Sequence, residues 1–307
     1  MMVLGFDTSN YTTSVACYDG VRGENRSRLL DVKQGELGLR QSDAVFAHVK
    51  RLPDLAEALF EQAPRSELCA IGVSTRPRAV EGSYMPCFLA GVSAARTMAA
   101  ALRVPCYSFS HQQGHIAAAL WSAGRMDLMD RPHLAWHLSG GTTELLLVEP
   151  EDRNVRATRI GGTSDISAGQ IMDRTGRLLS LPFPSGKALD RLSAQVERPE
   201  AFRVKTRGLS FSFSGLENKV AAYAGDHGSE ETAAYAVRSV CDAIVRTTED
   251  ALKQYPGFPV VFSGGVASNS MLRRVCQRFQ PVFAEPALST DNAMGIAVLT
   301  WLQEEGR

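Results

Sequence analysis

Short apolar runs bounded by small polar residues recur along the chain, and they predict strands. Residues 3–6 are wholly apolar, as a buried strand requires. The polar set Asp7, Thr8, Ser9 and Asn10 follows as a turn, and residues 12–18 return as a second strand. The same succession recurs at 134–138, with Ser139, Gly140, Gly141 and Thr142 as the turn and 144–148 as the return. Residues 104–109 and 260–262 read as further strands, the latter entering a turn that runs from Ser263 through Gly264 and Gly265 to Asn269. Apolar residues at helical spacing mark 54–62, 168–179 and 233–253. Residues 88–102 form an Ala-rich helix able to pack closely on a sheet, another helix starts near Met271, and a last one near Asn292. Residues 182–186 (Pro-Phe-Pro-Ser-Gly) are a break, and 226–229 a surface loop.

Strands that alternate with helices predict α/β layers. The repeated strand–turn–strand fits either two lobes of one architecture or two unrelated hairpins. The boundary is expected near 130: an N-terminal lobe over 1–130, with helix 292–307 packing back onto it, and a C-terminal lobe over 131–291. At 307 residues, 44% hydrophobic and 21% charged, the chain has room for two modest domains and is neither disordered, collagen-like nor coiled-coil. Lys plus Arg and Asp plus Glu both number 33, so the chain has no bulk charge with which to grip nucleic acid. The local groups Arg203, Lys205 and Arg207, Arg273 and Arg274, and Arg76 and Arg78 read as solvated surface charge. Six scattered cysteines without a CxxC pair read as reduced core residues of an intracellular protein. The N-terminus lacks the features of a signal peptide and no apolar run spans a membrane, so a cytoplasmic location is expected.

Three turns at strand ends carry candidate chemistry: Asp7-Thr8-Ser9, Ser139-Gly140-Gly141-Thr142 and the turn at Gly264-Gly265. Glycine pairs let backbone N–H groups approach anionic oxygens, and a helix that starts after such a turn adds partial positive charge. Asn269 is placed to hydrogen-bond a ribose or phosphate. No P-loop is present. The arrangement resembles the actin–hexokinase–Hsp70 (ASKHA) superfamily, whose two lobes of mixed sheets and helices enclose an active site in the interlobe cleft. His111 and His115, four apart, share one helix face and suit one metal ion, although Gly114 between them is a poor helix former. Ligands and satisfied core histidines both fit. Asp291 could supply a third ligand, but before an apolar helix the sequence alone favours reading it as a helix N-cap. Gln112 stands where HExxH has its general base, which excludes a thermolysin-like protease.

The set of motifs resembles the TsaD family, which acts in making threonylcarbamoyladenosine on tRNA. The segments are 111–115 (His-Gln-Gln-Gly-His), 138–141 (Leu-Ser-Gly-Gly), 172–179 (Met-Asp-Arg-Thr-Gly-Arg-Leu-Leu), 184–186 (Pro-Ser-Gly), 211–216 (Phe-Ser-Phe-Ser-Gly-Leu), 263–269 (Ser-Gly-Gly-Val-Ala-Ser-Asn) and 289–293 (Ser-Thr-Asp-Asn-Ala). The resemblance implies one divalent metal, iron or zinc, held by His111, His115 and Asp291. It implies an adenine nucleotide, threonylcarbamoyl-AMP, against His137, Leu138, Ser139, Gly140, Gly141, Asp173, Gly186 and Asn269. It also implies transfer of the threonylcarbamoyl group to the exocyclic amine of the tRNA adenosine beside the anticodon, with TsaB-like and TsaE-like proteins as partners.

The chain departs from the family pattern in places. The acidic pair of the first turn is replaced by Tyr11 and Thr12, the Gly-Pro-Gly-Leu turn by Arg76-Pro-Arg-Ala79, the histidine after the second Gly-Gly by Thr142, and the glutamate of Ala-Gly-Glu by Gln170. These changes bear on the substrate. They leave open a carbamoyltransferase acting on another acceptor, and a non-catalytic nucleotide-binding subunit paired with a genuine TsaD.

Overall fold

A computed structural model describes residues 1–9, 12–31, 39–61, 68–285 and 292–305. By backbone contacts the chain divides into two units. One holds Met1–Arg131, Glu149–Ala157 and Thr290–Arg307, and the other Pro132–Val148 and Thr158–Ser289.

The first unit is built on a five-stranded sheet of β1 (Met2–Ser9), β2 (Thr12–Tyr18), β3 (Gly23–Leu29), β4 (Leu68–Arg76) and β5 (Cys106–Ser110). Its order is β3-β2-β1-β4-β5, antiparallel from β3 to β1 and parallel from β1 to β5. The helices are α1 (Gln41–Phe60), α2 (Phe88–Leu102) and α3 (His111–Ser122), joined at the far end of the chain by α9 (Ala293–Glu304). β1 is buried nearly throughout, as its apolar run requires, and packs with α1 and α2 through Leu4, Phe6, Leu52, Leu59 and Ala95.

The second sheet comprises β6 (His133–Leu138), β7 (Thr143–Glu151), β8 (Asn154–Thr163), β9 (Thr206–Arg207), β10 (Ser210–Phe211), β11 (Val260–Ser263) and β12 (Val282–Phe283), and belongs to the second unit except for the end of β7 and the start of β8, within Glu149–Ala157. The helices of this unit are α4 (Ala168–Leu178), α5 (Gly186–Ser193), α6 (Ser214–Tyr223), α7 (Ser229–Gln254) and α8 (Ser270–Cys276). The sheet order is β12-β11-β6-β7-β8-β10-β9, with β6 antiparallel to β7 and parallel to β11. Read from the opposite edge, the first sheet runs β5-β4-β1-β2-β3. Position for position this matches β12-β11-β6-β7-β8, so the two hairpins are copies of one architecture. The core of this unit gathers around Trp136, Phe211, Phe213, Ile244 and Phe262, under the long helix α7.

Three sequence expectations change. Asp7, Thr8 and Ser9 are not a turn but the last residues of β1, paired with Ser14, Thr13 and Thr12. Short polar side chains stay buried there because the ladder and local acceptors satisfy them. The first helix starts at Gln41, not at 54, and runs through Pro53. Its buried stripe Ala44, His48, Leu52 and Leu59 keeps it continuous despite the proline. Arg76, expected in a turn, is the last residue of β4, opposite Ser110 of β5.

No described helix is long and apolar enough to cross a membrane. The cysteines are free, and burial pushes the Cys87 thiol up to about 11 and Cys276 up to about 12.

Candidate active site

In the first unit, β5 ends at Ser110, which caps α3. Its hydroxyl accepts from Gln113 N–H at 3.2 Å, and Gln113 Oε1 accepts from Ser110 N–H at 2.9 Å. Ser-x-x-Gln is a capping-box signature legible in the sequence. It fixes His111 in the first helical turn, with His115 one turn later. The two rings lie 4.5 Å apart between centroids, at 70°. Gly114 is needed for close packing: a Cβ there would reach Ile296 Cδ1 at 3.0 Å.

Asp7, 1% exposed, points from the end of β1 at the same pair, with Oδ2 2.8 Å from His111 Nδ1. Burial opposes its ionisation. The charge and hydrogen bond of His111, aided by Ser74 and the Ser9 N–H, outweigh it and hold the carboxyl below its usual range. An ionised Asp7 accepts a hydrogen bond from Nδ1, which leaves Nε2 as the ring nitrogen free of the carboxylate. Carboxylate–imidazole pairing of this kind orients metal-binding histidines. The Asn292 amide nitrogen lies 3.0 Å from that Nε2 and also against Nδ1, and Asn292 Oδ1 is buried without a hydrogen-bond partner. Two imidazoles four residues apart, one of them held by a carboxylate, beside an orphaned oxygen, suit a borderline divalent cation. Asp291 lies outside the described residues, and among the described ones no three His, Cys, Asp or Glu side chains form a metal cluster. Thr8 serves the fold: its hydroxyl donates to Cys87 O at 3.0 Å and accepts from Gly91 N–H at 3.1 Å, anchoring α2. Ser9 N–H donates to Asp7 Oδ1 at 3.0 Å.

In the second unit three turns converge. The loop from Ser139 to Thr142 closes on itself by Ser139 N–H to Thr142 O at 2.8 Å. The start of α4 packs directly on it: Ser167 Oγ donates to Gly140 O at 2.6 Å, and a Cβ on Gly169 would reach Gly140 Cα at 2.5 Å. Gly264, at φ +89°, brings the third turn to Leu138, where a Cβ would meet Leu138 O at 2.3 Å. Only glycine fits that conformation and that approach. Gly140, Gly141 and Gly265 face open space instead, and neither the Gly140 nor the Gly141 N–H is taken up by a hydrogen bond among the described residues. The result is an open cradle of backbone at the N-terminus of α4, a geometry suited to anionic oxygens. His137 Nδ1 lies 3.4 Å from Ser263 Oγ beside it.

Asp173 Oδ1 accepts from Ser185 N–H at 2.9 Å, which ties the start of α5, and with it Gly186, to α4. Asn269 is committed on both sides of its amide. Oδ1 caps α8 through Leu272 N–H at 3.0 Å, and Nδ2 donates to Asp190 Oδ1 at 2.8 Å. Asn269→Ala therefore removes a helix cap and the Asp190 link together. We expect a loss of about 1 kcal/mol in chemical denaturation from the cap and weaker adenylate binding by calorimetry. Unchanged adenylate affinity would exclude the third turn from the binding site.

Sequence reasoning missed two residues here, Asp190 and Asp165, and the capping role of Gln170. Asp190, on α5, also accepts from Ser270 N–H and Oγ, and nothing local in the sequence marks it. Asp165 accepts from Phe213 N–H at 2.8 Å, Ile166 N–H at 2.7 Å and the Ser212 hydroxyl, and so anchors the Phe-Ser-Phe-Ser segment. Burial opposes its ionisation, but these donors hold its carboxyl well below the usual range. Gln170 closes a second capping box with Ser167 and thus serves the helix cap. The Ser-x-x-Gln spacing was the available signal.

A sequence profile described as TsaD, tRNA N6-adenosine threonylcarbamoyltransferase, matches residues 32–298. The chain belongs to the TsaD family. TsaD relatives named tRNA N6-adenosine threonylcarbamoyltransferase include that of Carboxydothermus hydrogenoformans, 30% identical over 96% of this chain and 90% of its own. Another, from a Sulfurihydrogenibium species, is 31% identical over 97% and 89%. Membership makes the chain a transferase of the acyl-transfer type. The TsaD match begins after β2 and β3. Solved structures share the fold. HypF in a phosphate- and nucleotide-bound form aligns at TM-score 0.60 and 13% identity over 97% of this chain and 46% of that one. Component A of (R)-2-hydroxyglutaryl-CoA dehydratase from Acidaminococcus fermentans aligns at 0.58 and 13% over the whole of both chains. A ROK hexokinase from Thermus thermophilus aligns at 0.52 and 14%. These likenesses identify the fold as ASKHA-type.

Proposed function

We propose that this chain transfers the threonylcarbamoyl group of threonylcarbamoyl-AMP to the exocyclic amine of the tRNA adenosine beside the anticodon, in the cytoplasm. The observation that carries this reading is the array of Asp7, His111 and His115 in a chain of the TsaD family. His111 and His115, with Asp291, would hold one iron or zinc ion, which would supply Lewis-acid stabilisation of charge on the donor. Asp7 keeps the proton on His111 Nδ1 and the ring in place. The Gly140, Gly141 and Gly265 backbone, with the start of α4, is suited to the adenylate phosphate, and Asp173, Gly186 and Asn269 to the nucleoside beyond it. In this reaction the amine nitrogen bonds to the carbamoyl carbon and gives up one proton to water, the bond from that carbon to the phosphate oxygen breaks, and AMP leaves with the electron pair. No side-chain nucleophile is required, because the exocyclic amine attacks directly.

TsaB-like and TsaE-like partners belong to this reading. Exposed Phe46 and Val49, three apart on α1, give that helix an apolar exposed face that supports a protein partner. A second reading, transfer to another acceptor, is favoured by Arg76. It stands opposite Ser110 in the β4–β5 register, next to His111, and adds positive charge where the family has glycine.

The test is incubation with threonylcarbamoyl-AMP and unmodified tRNA, with and without candidate partners, followed by mass spectrometry of the digested nucleosides. Threonylcarbamoyladenosine is the expected product. Donor consumed without it, while a genuine TsaD system works alongside, would transfer the assignment to another acceptor. Donor left intact would favour a nucleotide-binding subunit.

A further inference from the structure

A basic hollow lies in the second unit, apart from the glycine cradle. Its volume is about 290 Å³, and its lining is Pro199, Ala201, Arg203, Arg238, Asp242 and Arg246. Arg238, Asp242 and Arg246 follow one another at four-residue spacing on α7 and so share a face. Arg203 comes from the extended segment laid along that helix.

The hollow is held in shape by its own contacts. Phe202 N–H donates to Ser239 Oγ at 2.8 Å, and Arg246 donates to Val204 O at 2.6 Å. Phe202 and Val204 therefore turn inward, Val204 being only 1% exposed, while Arg203, Lys205 and Arg207 alternate outward. Asp242 is already matched by Arg246, Nε to Oδ2 at 2.9 Å. Arg203 and Arg238 form no hydrogen bond or ion pair among the described residues, although Arg238 is half-buried. The hollow thus gathers three guanidinium groups around one carboxylate, and among the described residues that carboxylate is engaged by Arg246, so the lining carries a net positive charge that an anion can offset.

We propose that this hollow, continued by Lys205 and Arg207, is a binding site for phosphodiester groups of the tRNA backbone, remote from the transferred group. Three features favour RNA over an acidic protein. Guanidinium forks match phosphate oxygens bidentately. The cations extend as an alternating track beyond the hollow, which a polyanion can follow and a single carboxylate does not need. The chain as a whole carries no net charge, so any electrostatic hold on RNA has to come from local groups such as these. The inference rests on the tRNA reading of the preceding subsection.

The experiment measures tRNA affinity of the full chain by fluorescence anisotropy over a series of salt concentrations, for the wild type, R203E/R238E and R203K/R238K. Thermal melting confirms that each is folded. The glutamate variant is expected to bind at least about tenfold more weakly, with a salt slope smaller by about 1.4 to 1.8, as the loss of two phosphate contacts implies. The lysine variant keeps the salt slope, because both charges remain, and loses only part of the affinity, as a point charge replaces each fork. Wild-type binding with an unchanged glutamate variant overturns this site and leaves the tRNA reading standing. Wild-type protein that binds no tRNA at all overturns both. Polyglutamate binding that is lost in the glutamate variant, with tRNA affinity intact, assigns the hollow to an acidic protein and also overturns the proposal.

Discussion

His115→Ala is expected to strip bound metal from the protein and to abolish threonylcarbamoyl transfer while leaving the fold intact. It is a cleaner variant than His111→Ala, because it leaves the pairing of Asp7 with His111 in place. Removing His111 strands a buried carboxylate. Breaking such a pair costs about 3–5 kcal/mol unless the acid takes up a proton, so a change in stability would confound the result. Asp7→Asn is the graded companion. It removes the carboxylate that orients His111 but no imidazole, and losing the partner that holds a metal-binding histidine costs roughly 10–100-fold in metal affinity. His115→Ala should exceed that range. Metal content by mass spectrometry and affinity by competition with a chelator provide the readout. Stoichiometric metal in His115→Ala would remove the histidine pair as the metal site.

Gly295→Ala should destabilise the first unit and weaken the same site without touching a proposed ligand. A Cβ on Gly295 would lie 1.8 Å from Gly114 O and 2.9 Å from Ala118 N, inside the backbone of the helix that carries His111 and His115. On its other side α9 cannot retreat, because a Cβ at Gly5 of β1 would lie 2.3 Å from Ala293 O, so strand and helix already touch backbone to backbone. The added methyl must therefore push α3. Overpacking of this kind costs typically about 1–3 kcal/mol and occasionally more. We expect a lower melting temperature together with weaker metal binding. Gly215→Ala serves as the control: it lies in α6, its Cβ would meet nothing within 4 Å, and it should be neutral or slightly stabilising. Equal melting temperatures for the two variants would refute the close-packing account.

Much of the local structure follows from pattern. The helix over 88–102 and the strand over 12–18 have the bounds that their apolar spacing predicts. Both hairpins are where small polar or glycine turns separate apolar runs. Local signals worked because each element buries one stripe or face, which leaves a period in the chain. They failed where a distant partner decides. Pro53 suggests a helix start, yet α1 runs through it because its buried stripe continues on both sides. Asp7 reads as a turn residue, yet pairing with Ser14 makes it part of β1.

The candidate site divides in the same way. Alone, the sequence determined which residue types are available: two histidines four apart, glycine pairs after strands, and a set of motifs characteristic of one family. Helical spacing and glycine's freedom act within a few residues, so they are legible locally. Tertiary structure alone decided that Asp7 orients His111 across 104 positions of sequence. It likewise decided that Asn269 spends its amide on Asp190 across 79 positions, and that Gly114 permits close helix packing. Those facts depend on which backbones meet. A contact between distant segments leaves no period and no spacing in the chain, so only the folded arrangement of the sheets and helices determines it.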